Sequence, residues 1–270
     1  MTTTLDLPRQ QPLRDSATML RRNLKRMLRY PSMTVMLIAM PVVFLLLFVY
    51  VLGGTLGAGL DASTGSAAAA RAVYANYVSP AIILMTVAAT VQGTAISIAM
   101  DMTEGIINRF RTMHIARVSV LTGHVLGSVI QAAISLAVVI GVAVLVGFRP
   151  TAGVAGWFAT AGFLLAVTFA LVWLAVALGQ VSKSVETASN LPMPLVLLPF
   201  LGSGFVPTDS MPAGLRWFAE HQPFTPIIET LRGLLMDEPL GGTVWVALAW
   251  CAAIALGGYL WSKRLFNRQS

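Results

Sequence analysis

Charged residues interrupt this chain only at long intervals. No Asp, Glu, Lys or Arg occurs in residues 31–60, 72–100, 118–148 or 150–182. Each run exceeds the roughly 20 residues an α-helix needs to cross a hydrocarbon core about 30 Å thick. The pattern predicts spans at 33–53, 76–99, 120–146 and 155–179. Pro41 should kink the first, and Pro80 should fall in the first turn of the second. The third run is longer than the core, so one end must tilt or project. A last apolar run, 241–261, stops at Lys263, Arg264 and Arg268. Between spans, 60–75 reads as a loop of small residues and 101–117 as a charged loop.

Two segments break this rhythm. In 16–30, Met19, Leu20, Asn23, Leu24, Met27 and Leu28 recur at helical spacing behind Ser16, a good N-cap. Arg21, Arg22, Lys25, Arg26 and Arg29 fill the other side, which predicts a basic amphipathic helix lying in the membrane interface. Residues 1–15, with Pro8 and Pro12, read as a disordered tail. The second exception is 190–208, NLPMPLVLLPFLGSGFVPT, with four prolines and two glycines. A regular helix would lose hydrogen bonds at Pro192, Pro194 and Pro199. Such backbone is tolerated in a membrane only against protein or a wet cavity. Residues 209–239 follow, moderately apolar and broken by Pro212, Pro223 and Pro226.

Charge decides whether that broken stretch crosses. With a fifth span at 187–207, 14 of the 18 basic residues lie on one side, together with both chain ends. Arg71, Arg149, Arg216 and Arg232 lie on the other. If the stretch dipped in and returned, the C-terminal cations would sit outside, against the positive-inside rule. The expectation is an all-α integral membrane protein of six transmembrane helices, multi-pass in the cytoplasmic membrane. Both termini are cytoplasmic, 16–262 form a single transmembrane domain, and 263–270 form a short tail.

Composition narrows the chemistry. Charged residues make up 11% of the 270, against about 25% in soluble domains. Mean hydropathy is +0.76. The net charge of +7 flanks spans instead of patterning a soluble face, which argues against nucleic acid and for contacts to anionic membrane lipids. The lone Cys251 cannot form a disulfide within the chain. No GxxxxGK[ST] occurs, and the glycine-rich GGTLGAG at 53–59 lacks a lysine, so the chain itself should not bind ATP phosphates. No HExxH, CxxC or GxSxG occurs either. His114, His124 and His221 have no ligand spacing and read as packing residues, so no metal site is expected. Proton- or sodium-coupled carriers usually keep ionisable residues at membrane depth. Their absence here points to an energy source in another subunit.

The sharpest local feature is 101–117, DMTEGIINRFRTMHIAR. Asp101, Glu104, Arg109, Arg111 and Arg117 crowd a helix-prone segment, and Ile106, Ile107 and Phe110 give it an apolar stripe. A short amphipathic helix of this kind fits a groove on a cytoplasmic partner. Together with Val120-Leu121-x-Gly123, the segment resembles the coupling-helix region of daunorubicin-resistance-type permeases, the membrane subunits of type-2 ABC exporters. Phe205-Val-Pro-x-x-x-Met-Pro, and then Phe218-Ala-Glu-His-Gln-Pro-x-Thr-Pro on to Arg232, is similar to that family's outward element before the last span. Two departures stand out. The family often has proline after the Arg-Phe-Arg core, where this chain has His114, and arginine where His124 stands.

The resemblance implies a division of labour. A separate cytoplasmic ATPase subunit would bind ATP and Mg, this chain would carry no cofactor and no catalytic residue, and a second permease chain would complete the pathway. By carry-over, Glu104, Gly105, Asn108, Arg109, Phe110 and Arg111 would contact the ATPase. The interfacial helix would add a second contact. Pro207, Met211, Pro212, Glu220, His221, Pro223, Thr225 and Pro226 would build an extracellular cap, a re-entrant helical pair. The function expected is ATP-driven export of hydrophobic drugs or lipids. An ATP-independent carrier or channel is the alternative. Gly123 and Gly127, a GxxxG pair, suit either moving helix interfaces or ordinary span packing.

Overall fold

A computed structural model describes residues 12–29, 31–61, 63, 65–103 and 117–268. Among these the chain is helical, without strands. The first helix, α1, spans Pro12–Arg29 and starts on a proline, whose missing N–H costs nothing in a first turn. It begins within the segment expected to be a disordered tail. Leu20, Asn23, Leu24 and Met27 are half-buried, while Arg21, Lys25 and Arg29 are exposed, so the predicted amphipathic sidedness is present.

Among the described residues, five helices are long and apolar enough to cross a membrane: Thr34–Leu60, Ala67–Thr103, Gly123–Val146, Val154–Val181 and Thr243–Leu265. The first comprises α2 (Pro31–Leu46), a π turn over Leu47–Leu52 and α3 (Gly53–Leu60). Pro41 lies inside α2, and the helix continues through it. The next, α4 (Ala67–Thr103), has 37 residues and is about 55 Å long. Its start corrects the expected loop at 60–75. Four consecutive alanines at 67–70 are strong helix formers and extend the helix outward, so Pro80 falls in its interior. Its end corrects the loop at 101–117, because Asp101, Met102 and Thr103 are still helical. Helices α5 (Arg117–Val146) and α6 (Val154–Val181) match their predicted spans.

The predicted fifth span, 187–207, is not one helix. It is α7 (Val185–Asn190), α8 (Met193–Leu197) and a 3-10 turn at Leu198–Leu201. Pro192, Pro194 and Pro199 remove the donors that a continuous helix would need. A second 3-10 turn at Thr208–Ser210, α9 (Ala213–His221) and α10 (Phe224–Met236) follow. The last helix, α11 (Thr243–Arg268), continues to Arg268, into the tail expected at 263–270.

Helix α4 is the central column. It touches α2, α3, α5, α6, α7, α8 and α10, and most of its span is buried. On its far side α6 packs between α4 and α11. Helix α10 belongs to this core: Phe224, Ile227, Ile228, Leu231 and Leu235 are buried with Val78, Ile82 and Phe148. Backbone N–H groups of Thr151 and Ala152 both donate to Leu235 O, hooking the α5–α6 connection onto the end of α10. Helix α1 packs along α5 and touches α2. The bundle therefore has an α1 end and, opposite it, a cap end formed by 202–242.

Candidate functional site

At the α1 end, Asp101 is 1% exposed in the last turn of α4. Arg22 Nη2 of α1 donates to its Oδ2 at 2.8 Å. His124 Nε2 of α5 lies 3.1 Å from the same oxygen, and His124 is 6% exposed. With the carboxylate as acceptor, Nε2 is the nitrogen that carries hydrogen. A carboxylate this deeply buried is costly unless paired and hydrogen-bonded, and here two helices supply the donors. The reading of 101–117 as an exposed loop hid this. One signal was present: Thr86, Thr90, Thr94, Ser97 and Asp101 recur every three or four residues, marking one polar face of α4.

Polar groups continue from that face. Thr94 and Ser128 hydroxyls are 2.8 Å apart and buried. Asn23 Nδ2 of α1 donates to Gly123 O at 3.0 Å. A Cβ on Gly127 would sit 3.0 Å from Asn23 Cβ, so the Gly123–Gly127 pair seats α1 against α5 instead of joining two spans. Gln131 of α5 reaches Thr34 of α2 at 3.3 Å. A cavity of about 70 Å³ lies among Asn23, Thr34, Ser97, His124 and Gln131.

The coupling residues expected from sequence, Glu104, Gly105, Asn108, Arg109, Phe110 and Arg111, lie outside the described residues, as does His114. The helices that flank them end at Thr103 and begin at Arg117, beside the Asp101 cluster.

At the cap end the expected residues are all described. Pro207 and Met211 bracket the 3-10 turn, with Ser210 Oγ donating to Pro207 O at 2.8 Å. Pro212 and Pro223 stand at the N-caps of α9 and α10. Glu220 is exposed and takes Arg216 Nε at 2.7 Å, while Asp209 takes Arg216 Nη2 at 2.6 Å. The hydrogen bond that Arg216 donates to Glu220, then the charge of Asp209, pushes the Arg216 pKa above its ordinary value. His221 stacks on Trp217 with ring centroids 4.8 Å apart. Only Thr225 and Pro226 of the eight are buried. The eight therefore shape turns and caps, and do not converge on one pocket.

Of what converges there, only Thr225 was singled out from sequence. Thr225 Oγ1 donates to Ala219 O and accepts from Gln222 Nε2 at 3.3 Å and Ser203 N at 3.4 Å. Gln222 Nε2 also donates to Leu198 O at 3.1 Å. From the other side, Tyr77 Oη at 2.9 Å and Arg232 Nη2 at 2.9 Å both donate to Ser203 O. Tyr74 Oη donates to Phe205 O at 3.1 Å. The Arg232 guanidinium lies 4.0 Å over the Tyr77 ring, a cation–π contact. Residues 202–205 are thus clamped between α4 and α10. Gly202 is required by that clamp, because a Cβ there would collide with Gln222 Nε2 and Thr225 Oγ1. Beside it, Phe200 stacks on Phe205 at 4.4 Å, and Phe48 of the π turn lies 4.5 Å from Phe205.

Against this geometry, the sequence model of the ABC-2 type transporter matches residues 15–236, from α1 through α10. The chain belongs to the ABC-2 type transporter family. It is accordingly a multi-pass membrane protein. It is 27% identical over 208 residues to the daunorubicin resistance ABC transporter permease of Streptomyces coeruleorubidus, covering 76% of this chain and 69% of that protein. It is 26% identical over 179 residues to a probable doxorubicin resistance ABC transporter permease of Mycobacterium tuberculosis, covering 64% of each. The chain thus spans about two thirds of the length of these relatives.

Proposed function

We propose that this chain is the permease subunit of an ATP-driven exporter that moves hydrophobic drugs or lipids outward. Two permease chains form the pathway, and a separate cytoplasmic ATPase supplies the stroke. The observation that carries this reading is the family match across α1 to α10, together with relatives that are permeases named for daunorubicin and doxorubicin resistance. The connector 104–116 is the ATPase contact in this reading, with Glu104, Gly105, Asn108, Arg109, Phe110 and Arg111 at its heart. The α1 end then faces the cytoplasm, α1 lies in the inner interface, and α9–α10 form the outer re-entrant cap.

Six crossings follow if the broken stretch spans the membrane, and its contacts along α4 support that. Ser182 and Lys183 line one cavity with Met102 and Thr103. Gln92 Nε2 donates to Ser189 O at 2.7 Å. Ser203 O then meets Tyr77 Oη. These contacts descend α4 in order from residue 103 to 77, about 39 Å at 1.5 Å per residue, which exceeds a hydrocarbon core. The four arginines left on the outer side also have internal roles. Arg149 and Arg232 donate to backbone carbonyls, Arg216 is paired with acids, and Arg71 packs on Gly53.

The test is co-purification with a Walker-type ATPase encoded beside it, followed by ATP turnover and doxorubicin efflux from reconstituted vesicles. Glu104→Ala with Arg109→Ala should abolish efflux and uncouple ATP turnover without loss of insertion. Unchanged efflux would remove the docking assignment, and failure to recruit any ATPase would remove the function.

A further inference from the structure

We infer that Asp101 is a positioning residue that locks α1, α4 and α5 into one rigid lever at the α1 end, so that a push on the connector 104–116 moves three helices together. This rests on the proposed function for its purpose, but the lock itself is a matter of geometry.

Helix α4 runs unbroken to Thr103, so Asp101 sits one turn from the connector. Any displacement of the connector's start is felt by Asp101 directly. Among the described residues, Asp101 is the only buried carboxylate. Its one oxygen Oδ2 takes Arg22 from α1 and His124 from α5. Drawing either helix away would strip a donor from a charge that water cannot reach, and such separations are strongly opposed. The Arg22 side chain is 32% exposed, so the α1 branch is the softer one.

Packing joins α1 to α5 but not to α4. The cavity of about 70 Å³ separates α1 from α2 and α4 on one side. Polar side chains share its lining with Leu24 and Met27, and it is roomy enough for several waters at about 10–15 Å³ each. Across that gap Arg22 to Asp101 ties α1 to α4, while around its rim Asn23 to Gly123 O ties α1 to α5 and Gln131 to Thr34 ties α5 to α2. Two turns along, the buried Thr94–Ser128 pair repeats the α4–α5 tie. Coupling over distance is carried by rigid elements and hydrogen-bond networks with discrete arrangements, and this end of the bundle is built as one such element.

The experiment uses the full chain co-purified with its ATPase in lipid nanodiscs. Spin labels are placed at the exposed positions Lys25 on α1 and Leu126 on α5, by Lys25→Cys and Leu126→Cys in a Cys251→Ala background. The native interspin distance should keep one narrow distribution without nucleotide and with ATP and vanadate. Asp101→Asn should broaden it, and efflux per ATP hydrolysed should fall by about tenfold, inside the usual range for coupling between sites. Arg22→Gln should broaden it too, while leaving Asp101 with His124, and it carries the test should Asp101→Asn fail to accumulate. The double variant should be no worse than Asp101→Asn, since Asp101→Asn already weakens the link that Arg22→Gln removes. A native distance that changes between nucleotide states would overturn the lever. So would an Asp101→Asn protein with a narrow distribution and native efflux per ATP. If no ATPase is recruited, the proposed function falls, and the isolated chain still reads the lock: broadening by Asp101→Asn upholds it and an unchanged width refutes it.

Discussion

At the α1 end, one buried carboxylate gathers donors from two neighbouring helices. At the cap end, two backbone carbonyls, those of Ser203 and Phe205, gather donors from Tyr74, Tyr77 and Arg232. The first junction concentrates its strength in a single ionised group. The second spreads it over neutral acceptors, and Ser203 O has two donors. A charge is expensive to separate and simple to disconnect by one substitution. A lattice of carbonyls tolerates the loss of one donor but not the intrusion of an extra atom, because its parts already touch. One end is suited to acting as a lever, and the other to holding a fixed shape.

That contrast can be broken at several points, the largest effect first. Gly202→Val forces two methyls and a Cβ into Gln222 and Thr225, and overpacking of this kind costs about 3 kcal/mol. Detergent-solubilised protein should melt far lower, and a native melting temperature would deny the clamp. Thr225→Val keeps the shape but orphans Ala219 O and Ser203 N, for a loss of about 2 kcal/mol. Asp101→Asn should cost less in stability, about 1 kcal/mol, because Arg22 can turn toward water, even though its effect on coupling is the larger one. Its thermal melt and its efflux stoichiometry should therefore diverge, whereas those of Thr225→Val should fall together. Tyr77→Phe removes one donor from Ser203 O and leaves Arg232 in place, so the shift should stay under about 1 kcal/mol. A larger loss would mean that the cap lacks redundancy. Smallest of all is Glu220→Gln on the exposed Arg216 pair, which should leave the melt unchanged at ordinary salt.

Much of this was legible beforehand, and the reason differs by element. The spans of α5 and α6 matched their uncharged runs because hydropathy and helix length speak with one voice there. The sidedness of α1 followed from period alone. The reach of α4 did not: charges at Arg71 and Asp101 were taken as its limits, yet backbone propensity carries the helix past both. Charge marks where a segment leaves lipid, not where it stops being helical. The prolines of 190–208 announced a broken segment but not its exact turns. The cap residues singled out by motif proved to be caps and turns, since proline and exposed acids are what a motif makes visible. Gln222 and Arg232 stood in the quoted motif without a role, and Ser203 and Tyr77 went unremarked, because no spacing in the chain relates them; the hydrogen bonds that join Tyr77, Ser203 and Arg232 span 29 to 155 residues.

A bundle of apolar helices with a basic amphipathic first helix and a proline-broken stretch was already written in the order of the residues, because periodicity and transfer energy act residue by residue. That order also marked the family, through short motifs at both ends. That Asp101 is buried between Arg22 and His124, that Gly127 seats α1, and that 202–205 is clamped from both sides emerged from the packing. Those facts depend on which helices approach each other and at what rotation, and a carboxylate's neighbours across a gap of 79 residues are set by packing, not by its place in the chain.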